Sequence, residues 1–384
     1  MLPDYASGSL VNLMASLLTG CGAQARHPGL AALPAAEISA ARNVVLLVID
    51  GLGERYLARR GAGGELARRN RGAITSVFPS TTASAITTTY TGCTPREHGL
   101  TGWFSYFGEA GCVGAPLPFT SRGEQRPLTA RGADAGALFR TPGIFAALPM
   151  SSHVVTSRDI ADSLYNLHHC AGAERHPYET TAGLVDEIER IVKADAGPMP
   201  GRKFIYAYWP EYDRTAHRYG CESREAAARH AEIDEAFGDL LARLAGTDTL
   251  VVATADHGFV DVTPGESLEL PSSLAAMLRF PLSGERRVAY CHVHAKSEFI
   301  QRARDWLGER GEARESARLV AEGWFGGGAA HPRFDERIGD VTLVMNGRYT
   351  VKDWVPGDPR HVHIGNHGGV TEDEMLIPLI VERT

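Results

Sequence analysis

Three short apolar runs, each followed closely by acidic side chains, constrain the fold of this chain more than any other feature. They cover residues 44–49, 204–208 and 250–253. Continuous apolar runs of this length are typical of strands buried on both faces of a parallel sheet. Asp50, Asp213 and Asp256 come shortly after the three runs. Because ligands of open α/β sheets bind outside the carboxyl ends of the strands, we expect the chemistry of the protein to lie there.

The segments between these runs predict the fold class. Residues 222–245 are rich in Ala, Glu and Arg with apolar residues at helical spacing, and residues 341–345 and 376–381 are predicted as further strands. The alternation predicts an α/β protein with a mostly parallel central sheet and helices on both faces, as one large domain over residues 1–384 that carries insertions, with two domains as the alternative at this length. Residues 99–140 and 264–340, rich in Gly and Pro, are predicted as insertions that form a lid or substrate wall, or surface excursions without a role.

Charge and targeting patterns narrow the possible partners. With 39 Lys and Arg against 46 Asp and Glu, the net charge of −7 argues against a nucleic-acid duplex as partner. Leu10, Leu13, Met14, Leu17 and Leu18 predict an amphipathic helix packed on the core. No basic residue precedes that helix, no run reaches the roughly 18 apolar residues of a membrane span, and the six cysteines include no C-x-x-C pair. We therefore expect a cytoplasmic protein with reduced thiols and no membrane contact.

A cluster of hydroxyl side chains at the start of a predicted helix is the candidate nucleophile. Ser80, Thr81 and Thr82 lie where an extended stretch runs into the helix. Such residues commonly cap a helix, which is the alternative interpretation. A helix N-terminus also attracts anions, so a phosphoryl group held there would lie beside a hydroxyl. A hydroxyl needs a base or a metal ion to react at neutral pH.

Carboxylate and imidazole side chains at the other strand ends supply candidate metal ligands. Asp213 and His217 are four residues apart and would share a helix face, and Asp256 and His257 follow a strand directly. The segment 361–369 contributes His361, His363 and His367. An i, i+4 pair on a capped helix and a surface His cluster are the alternatives. Oxygen and imidazole ligands suit zinc, with manganese as a competitor, and the set contains enough ligands for two ions.

In this order, these motifs resemble the alkaline phosphatase superfamily, and most closely its nucleotide pyrophosphatase/phosphodiesterase branch. The stretches that carry the resemblance are residues 45–51, Thr82 through Thr91-Gly92 to His98-Gly99, Asp213 to His217, Asp256-His257-Gly258 and His367-Gly368-Gly369. The resemblance implies that Thr82, ten residues before Gly92, is the nucleophile, with Thr81 and Ser80 as rivals. It further implies one ion held by Asp50, Thr82, Asp256 and His257 and a second held by Asp213, His217 and His367, with His363 as the other candidate for the last position.

Two departures from the family pattern bear on the substrate. Ala85 stands where the phosphodiesterases usually have an Asn that binds a non-bridging oxygen. Cys93-Thr94-Pro95-Arg96 resembles the sulfatase motif but lacks the residue between Pro and Arg, so we interpret Cys93 as structural.

The predicted function is hydrolysis of a small-molecule phosphoester, by a phosphodiesterase or nucleotide pyrophosphatase that forms a phosphothreonine. A phosphomonoesterase or phosphonate hydrolase is the first alternative, and a sulfatase, a mutase or a non-catalytic binding protein follows. The sequence indicates no oligomeric state. The aromatic side chains near the nucleophile either line a pocket or belong to the core: Phe78, Tyr90, Trp103, Phe104 and Tyr106.

Overall fold

The computed structural model describes residues 1–194, 201–358 and 363–384. Its strands are β1 (Asn43–Ile49), β2 (Asn70–Thr75), β3 (Ser105–Phe107), β4 (Cys112–Ala115), β5 (Thr120–Ser121), β6 (Ser151–Ser157), β7 (Glu174–Tyr178), β8 (Lys203–Trp209), β9 (Thr249–Thr254), β10 (Val260–Asp261), β11 (Ser267–Glu269), β12 (Ser283–Gly284), β13 (Val288–Cys291), β14 (Gly311–Glu315), β15 (Val341–Met345), β16 (Thr350–Lys352), β17 (Gly365–Asn366) and β18 (Leu376–Arg383).

The helices alternate with these strands along the chain. They are α1 (Leu10–Gly20), α2 (Ala35–Ser39), α3 (Glu54–Arg60), α4 (Glu65–Arg68), α5 (Thr82–Thr91), α6 (Pro95–His98), α7 (Ala135–Phe139), α8 (Arg158–Ala161), α9 (Leu164–His169), α10 (Thr181–Lys193), α11 (Glu211–Tyr219), α12 (Arg224–Arg243), α13 (Ser272–Ala275), α14 (Lys296–Leu307), α15 (Ser316–Ala321), α16 (Phe334–Ile338) and α17 (Glu372–Met375). Among the described residues, no helix is both long enough and apolar enough to span a membrane.

A seven-stranded sheet in the order β2-β18-β9-β1-β8-β6-β7 forms the centre of the molecule. Strands β9, β1, β8, β6 and β7 pair in parallel, whereas β18 runs antiparallel to both β9 and β2. The three apolar runs of the sequence are therefore the adjacent strands β9, β1 and β8, every residue of which is buried. Their carboxyl ends meet at one edge of the sheet, as predicted.

Contacts of β8 show that helices cover both faces of this sheet. The ammonium group of Lys203 donates hydrogen bonds to the carbonyl oxygens of Ile191 and Val192 in α10, at 2.7 and 3.2 Å. The hydroxyl of Tyr206, three residues further along the strand, lies 2.9 Å from the hydroxyl of Thr89 in α5. Side chains at an odd spacing in a strand point to opposite faces, so α10 and α5 lie on opposite sides. The predicted fold class is confirmed.

The N-terminal helix α1 is more deeply enclosed than the predicted amphipathic helix. Its apolar residues pack on the core, but its polar residues Asn12 and Ser16 are buried as well. The Asn12 amide donates to the carbonyl oxygen of Pro28 at 2.9 Å, and the Ser16 hydroxyl accepts from the backbone N–H of Leu30 at 2.8 Å. The chain that follows the helix thus covers its polar side and satisfies the buried groups.

The two segments predicted as insertions form smaller sheets beside the central one. Strands β3, β4 and β5 make a three-stranded antiparallel sheet within residues 99–140, and β12-β13-β15-β14 make a four-stranded sheet with its own apolar core. The predicted strand 341–345 is β15 of this second sheet, so that excursion continues beyond residue 340, whereas 376–381 lies in β18 of the central sheet. The backbones of Phe104 and Gly284 pair with each other and join the two excursions.

Candidate metal centre and active site

Acidic side chains follow the three adjacent strands at the edge where their carboxyl ends meet. Asp50 comes directly after β1, Asp256 lies two residues after β9, and Asp213 lies in α11, which begins shortly after β8. Asp50 and Asp256 are buried, and the side chain of Asp213 is 13 % exposed. The pairing β9-β1-β8 therefore brings together carboxylates that lie far apart in the sequence, from residue 50 to residue 256.

A glycine turn positions Asp50 against the loop after β9. Gly51 has φ = +79°, a region that favours glycine, and a Cβ there would overlap the ring of Phe259. The backbone N–H of Gly51 donates to Oδ1 of Asp256 at 2.9 Å. The glycines of the Asp50-Gly51-Leu52-Gly53 sequence thus allow the two loops to approach each other closely.

The first group of candidate ligands surrounds Nε2 of His257. This nitrogen lies 3.1 Å from the hydroxyl oxygen of Thr82, 3.3 Å from Oδ2 of Asp256 and 3.5 Å from Oδ1 of Asp50. Ligands about 2.1 Å from a tetrahedral zinc ion lie about 3.4 Å from each other. The separations therefore match those of a metal centre, and the four residues are the set implied by the family resemblance.

Of the three candidate nucleophiles, only Thr82 points its hydroxyl into this group. The Thr81 hydroxyl donates to Oε1 of Glu285 at 2.6 Å, and the Ser80 hydroxyl donates to the carbonyl oxygen of Gly369 at 2.8 Å. Thr81 occupies the N-cap position of α5, yet its side chain makes no capping hydrogen bond. The capping interpretation therefore explains none of the three hydroxyls. Thr82 is the first residue of α5, where the backbone N–H groups have no partners within the helix.

The second group of candidate ligands consists of Asp213, His217 and His367. Nε2 of His217 lies 3.4 Å from Oδ1 of Asp213 and 3.1 Å from Nε2 of His367, and the latter nitrogen lies 3.8 Å from the same carboxylate oxygen. The imidazole rings of His257 and His367 stack with their centroids 3.7 Å apart, which joins the two groups. All seven predicted side chains are therefore in one cluster.

Hydrogen bonds on the far side of two imidazoles leave the correct nitrogen free to bind a metal. Nδ1 of His257 faces the carbonyl oxygen of Gly258 at 3.2 Å, and Nδ1 of His217 faces that of Gly365 at 2.9 Å. A carbonyl oxygen accepts only, so each Nδ1 carries a proton, and Nε2 is the nitrogen that provides a lone pair when the ring binds a metal. His363 approaches His217 from this protonated side, at 3.0 Å between Nδ1 atoms. The geometry favours His367 over His363 in the second group; His361 lies outside the described residues.

Buried carboxylate oxygens without partners show that the cluster suits positive charge. Oδ1 of Asp50, Oδ1 of Asp213 and Oδ2 of Asp256 are buried and accept no hydrogen bond among the described residues. Burial, followed by the nearby carboxylates, raises the pKa of Asp50 well above its usual range, and burial raises the pKa of Asp213 to about 7. Burial also lowers the pKa of His217 to about 4, so this imidazole is neutral at pH 7. Burying three carboxylates together is unfavourable unless cations neutralise their charge, so we expect this cluster to bind cations.

Two polar residues at the site were not identified from the sequence. The Tyr208 hydroxyl donates a short hydrogen bond to Oδ2 of Asp50 from the end of β8. Glu285, at the tip of the β12–β13 hairpin, accepts hydrogen bonds at 2.6 Å from the Thr81 hydroxyl and from the backbone N–H of Trp103. Tyr208 is the last residue of a predicted strand, so its place near the site could have been inferred from the sequence. Glu285 belongs to no motif and could not have been found in this way.

The aromatic side chains considered as pocket walls divide into three sets. Phe78 and Tyr90 are core residues: Phe78 packs edge-on against Trp324 and Phe325, and Tyr90 packs on Tyr206. Trp103 is 40 % exposed. The remaining two stack on side chains of the excursions: Phe104 lies beneath the guanidinium of Arg122, and Tyr106 stacks on Phe280.

A third group of side chains with metal-ligand atoms lies on the edge strand β7 and its neighbour β6. Nδ1 of His153 and Nε2 of His176 are 3.0 Å apart, near Glu174. Arg190 donates to Nδ1 of His176 at 2.9 Å, so Nε2 of that ring carries a proton and donates to His153. This group is therefore a hydrogen-bonded pair and does not present two free lone pairs to an ion.

Comparison with known families agrees with this geometry. Residues 44–369, which contain both ligand groups and Thr82, match the model of the family described as type I phosphodiesterase / nucleotide pyrophosphatase. The chain belongs to this family. The resemblance inferred from the motifs is confirmed, and the two ligand groups lie within the matched residues.

Two curated proteins match the chain over shorter stretches. Bis(5'-adenosyl)-triphosphatase ENPP4 of Homo sapiens is 28% identical over 102 residues, which are 25% of this chain and 22% of the human protein. The Mus musculus protein of the same name is 25% identical over 113 residues, 28% of this chain and 25% of that protein. The match thus spans about a quarter of the length of these curated relatives.

Solved structures share the fold over most of the chain. Murine ectonucleotide pyrophosphatase / phosphodiesterase 5, in complex with AMP, superposes with a TM-score of 0.64 at 17% identity and covers 88% of this chain and 87% of its own. Phosphonoacetate hydrolase of Sinorhizobium meliloti, in complex with phosphonoacetate, has a TM-score of 0.62 at 18% identity. The superposition covers 89% of this chain and 90% of the hydrolase. At these identities the likeness establishes the fold.

Proposed function

We propose that the protein is a two-metal hydrolase of small-molecule phosphodiester or pyrophosphate bonds, with Thr82 as the nucleophile. The observation that carries this proposal is the position of the Thr82 hydroxyl, 3.1 Å from Nε2 of His257 at the N-terminus of α5 and within the seven-residue cluster. Family membership supports the reaction class. The donor set of carboxylates, imidazoles and one hydroxyl fits two divalent ions, for which zinc is our assignment and manganese the competitor.

In the proposed reaction, the Thr82 oxygen attacks phosphorus in line with the leaving group. The Thr82 hydroxyl loses its proton as an O–P bond forms, and the bond from phosphorus to the leaving oxygen breaks as that oxygen takes up a proton. Water then cleaves the phosphothreonine ester, which still carries the other substituent of a diester, to regenerate the hydroxyl. Two divalent ions would supply positive charge to the Thr82 oxygen and to the phosphoryl group.

The protein's own groups orient the reactants. The first N–H groups of α5 face the phosphoryl oxygens, and the helix dipole favours their negative charge. Tyr208 fixes the Asp50 carboxylate, while the carbonyl oxygens of Gly258 and Gly365 fix the rings of His257 and His217. These contacts hold the ligand atoms in place before substrate binds.

Phosphonate hydrolysis is the second candidate, because the similar structures include phosphonoacetate hydrolase. The position of Cys93 argues against a sulfatase. This thiol is buried beyond the C-terminus of α5, at the opposite end of the helix from Thr82, and burial raises its pKa to about 11. A cytoplasmic location, and the lid role of residues 99–140 and 264–340, remain predictions from the sequence.

The test is an assay of metal-loaded wild type, Thr82→Ala and Thr82→Ser against aryl phosphate monoesters, phosphodiesters, phosphonates and sulfates. We expect diester hydrolysis by wild type, a loss of at least about 1,000-fold in Thr82→Ala, and partial activity in Thr82→Ser, which keeps a hydroxyl. Acid quenching during turnover should trap the phosphoryl adduct on the peptide that contains residue 82. Hydrolysis by Thr82→Ala at the wild-type rate would refute the nucleophile.

A further inference from the structure

The turn of the β12–β13 hairpin has the metal-ligand cluster on one side and the excursion at residues 99–140 on the other. Gly284 pairs with Phe104 through both backbone hydrogen bonds, and the N–H of Glu285 donates to the carbonyl oxygen of Val288 at 2.7 Å to close the turn. A Cβ on Gly368, the residue after His367, would overlap the side chain of Glu285. The turn residues 285–287 therefore lie beside the second ligand group.

Both neighbours of Arg286 hold this turn in place. Glu285 accepts hydrogen bonds from the Thr81 hydroxyl and the Trp103 N–H, next to the nucleophile. Arg287 is fully buried and makes a bidentate ion pair with Glu374, at 2.9 and 2.8 Å. Since each neighbour has fixed partners, the backbone of Arg286 is fixed as well.

Arg286 itself has no such partner. Within residues 1–194, 201–358 and 363–384, its half-buried guanidinium makes no hydrogen bond and no ion pair. Its carbonyl oxygen accepts from the N–H of Val351 at 2.8 Å, which brings Lys352 close to it. The charged groups around the guanidinium are the carboxylates of Glu285 and Asp358 and the guanidinium of Arg122. The guanidinium therefore extends from a turn beside the second ligand group and lies among charges of both signs.

A half-buried guanidinium whose N–H groups have no acceptor among the described residues is costly unless water or a bound anion accepts from them. The planar guanidinium is the side chain best suited to bind phosphate or carboxylate through two parallel hydrogen bonds. Arg337, a fully buried arginine that faces residues 99–140, by contrast donates hydrogen bonds to Glu109 and to the carbonyl oxygen of Leu138. Arg286 is thus available for a ligand.

We propose that Arg286 binds a second anionic group of the substrate, beyond the phosphorus that Thr82 attacks. This inference rests on the proposed function and narrows it to substrates with two anionic centres. The second group is either another phosphate, as in a nucleoside polyphosphate, or a carboxylate, as in a phosphonocarboxylate. A simple phosphodiester has no group for this position and is a poorer substrate.

The test compares Arg286→Gln with wild type, with Arg286→Lys and with the control Arg318→Gln, an exposed arginine of α15 that pairs with Glu322. The substrates are diadenosine triphosphate, phosphonoacetate and bis(4-nitrophenyl) phosphate, of which the last has no second anion. Loss of a charge-assisted hydrogen bond predicts that Arg286→Gln lowers kcat/KM about 10- to 100-fold more for a substrate with a second anion, mainly through KM. Arg286→Lys should recover part of this loss, and Arg318→Gln should leave the ratio of the substrates unchanged.

The pattern of losses identifies the second anion. A selective loss for diadenosine triphosphate assigns a phosphate, and one for phosphonoacetate assigns a carboxylate. An equal change for all substrates, or no change, overturns the role of Arg286.

Binding of inorganic pyrophosphate and orthophosphate to the metal-loaded protein, measured by calorimetry, separates this inference from the proposed function. If wild type hydrolyses none of the substrates, the proposed function fails. In that case, Arg286 is still supported as an anion-binding residue if Arg286→Gln weakens pyrophosphate binding at least 10-fold more than orthophosphate binding. Equal changes in the two affinities would overturn this role.

Discussion

Replacing Asp213 by Asn is expected to stabilise the metal-free protein while it destroys the second ligand group. Oδ1 of Asp213 is buried without a hydrogen-bond partner, in a cluster that also contains Asp50 and Asp256. In the absence of ions, these carboxylates repel one another and lose their hydration. An amide of the same shape removes one of the charges.

The size of the effect follows from the pKa of Asp213. Burial raises it from 3.8 to about 7. A carboxyl whose pKa is higher in the folded state stabilises the fold below its unfolded pKa and loses that contribution as pH rises through the folded value. The contribution is lost between about pH 4 and 7 and amounts to about 4 kcal/mol, at roughly 1.4 kcal/mol per pKa unit. For a chain of this length, that corresponds to about 5 °C in Tm.

The assay is thermal unfolding of wild type and Asp213→Asn in EDTA at pH 4 and pH 8. The two proteins should unfold at similar temperatures at pH 4, and the variant should unfold about 5 °C higher at pH 8. With zinc added, the order should reverse at pH 8, because only wild type retains the full ligand group. If metal-free Asp213→Asn is less stable than wild type at pH 8, then the fold does not hold these three carboxylates together at the expense of stability, and the reasoning is wrong.

Two further substitutions test how the site is positioned. Tyr208→Phe removes the hydrogen bond to Asp50 and should weaken zinc binding about 10- to 100-fold in a chelator competition titration. The control Tyr206→Phe, on the same strand, should leave zinc binding unchanged. Equal zinc affinities of the two variants would contradict the role of Tyr208. Gly51→Ala should lower the free energy of unfolding in urea by about 2–4 kcal/mol, since it combines a positive φ with overlap on an aromatic ring. Gly63→Ala, with φ = +86° and open space around it, should cost about 1–2 kcal/mol, and an equal loss in both variants would exclude the steric argument.

The central part of the fold was predictable because its signals are local. The apolar runs became β1, β8 and β9, and the polar residues after them lie together because adjacent parallel strands end at one edge. Family membership and the fold class followed from the motifs at those ends. The choice of Thr82 over Thr81 and Ser80 came from the resemblance, and the contact with His257 supports it.

Other features depend on packing that no local pattern encodes. The burial of Asn12 and Ser16 in α1 is set by the chain that folds over the helix, and β15 lies outside the central sheet although its sequence resembles that of a central strand. Arg286 is unremarkable in sequence. Its significance comes from the fixed partners of the residues on either side, which only the folded structure brings together.

The most direct test of the account is anomalous diffraction at the zinc edge from crystals of the zinc-loaded protein. We expect two peaks per chain, one among Asp50, Thr82, Asp256 and His257 and the other among Asp213, His217 and His367. The absence of a peak from either group, or a peak bound by other side chains, would contradict the claim that these seven residues form a two-metal centre.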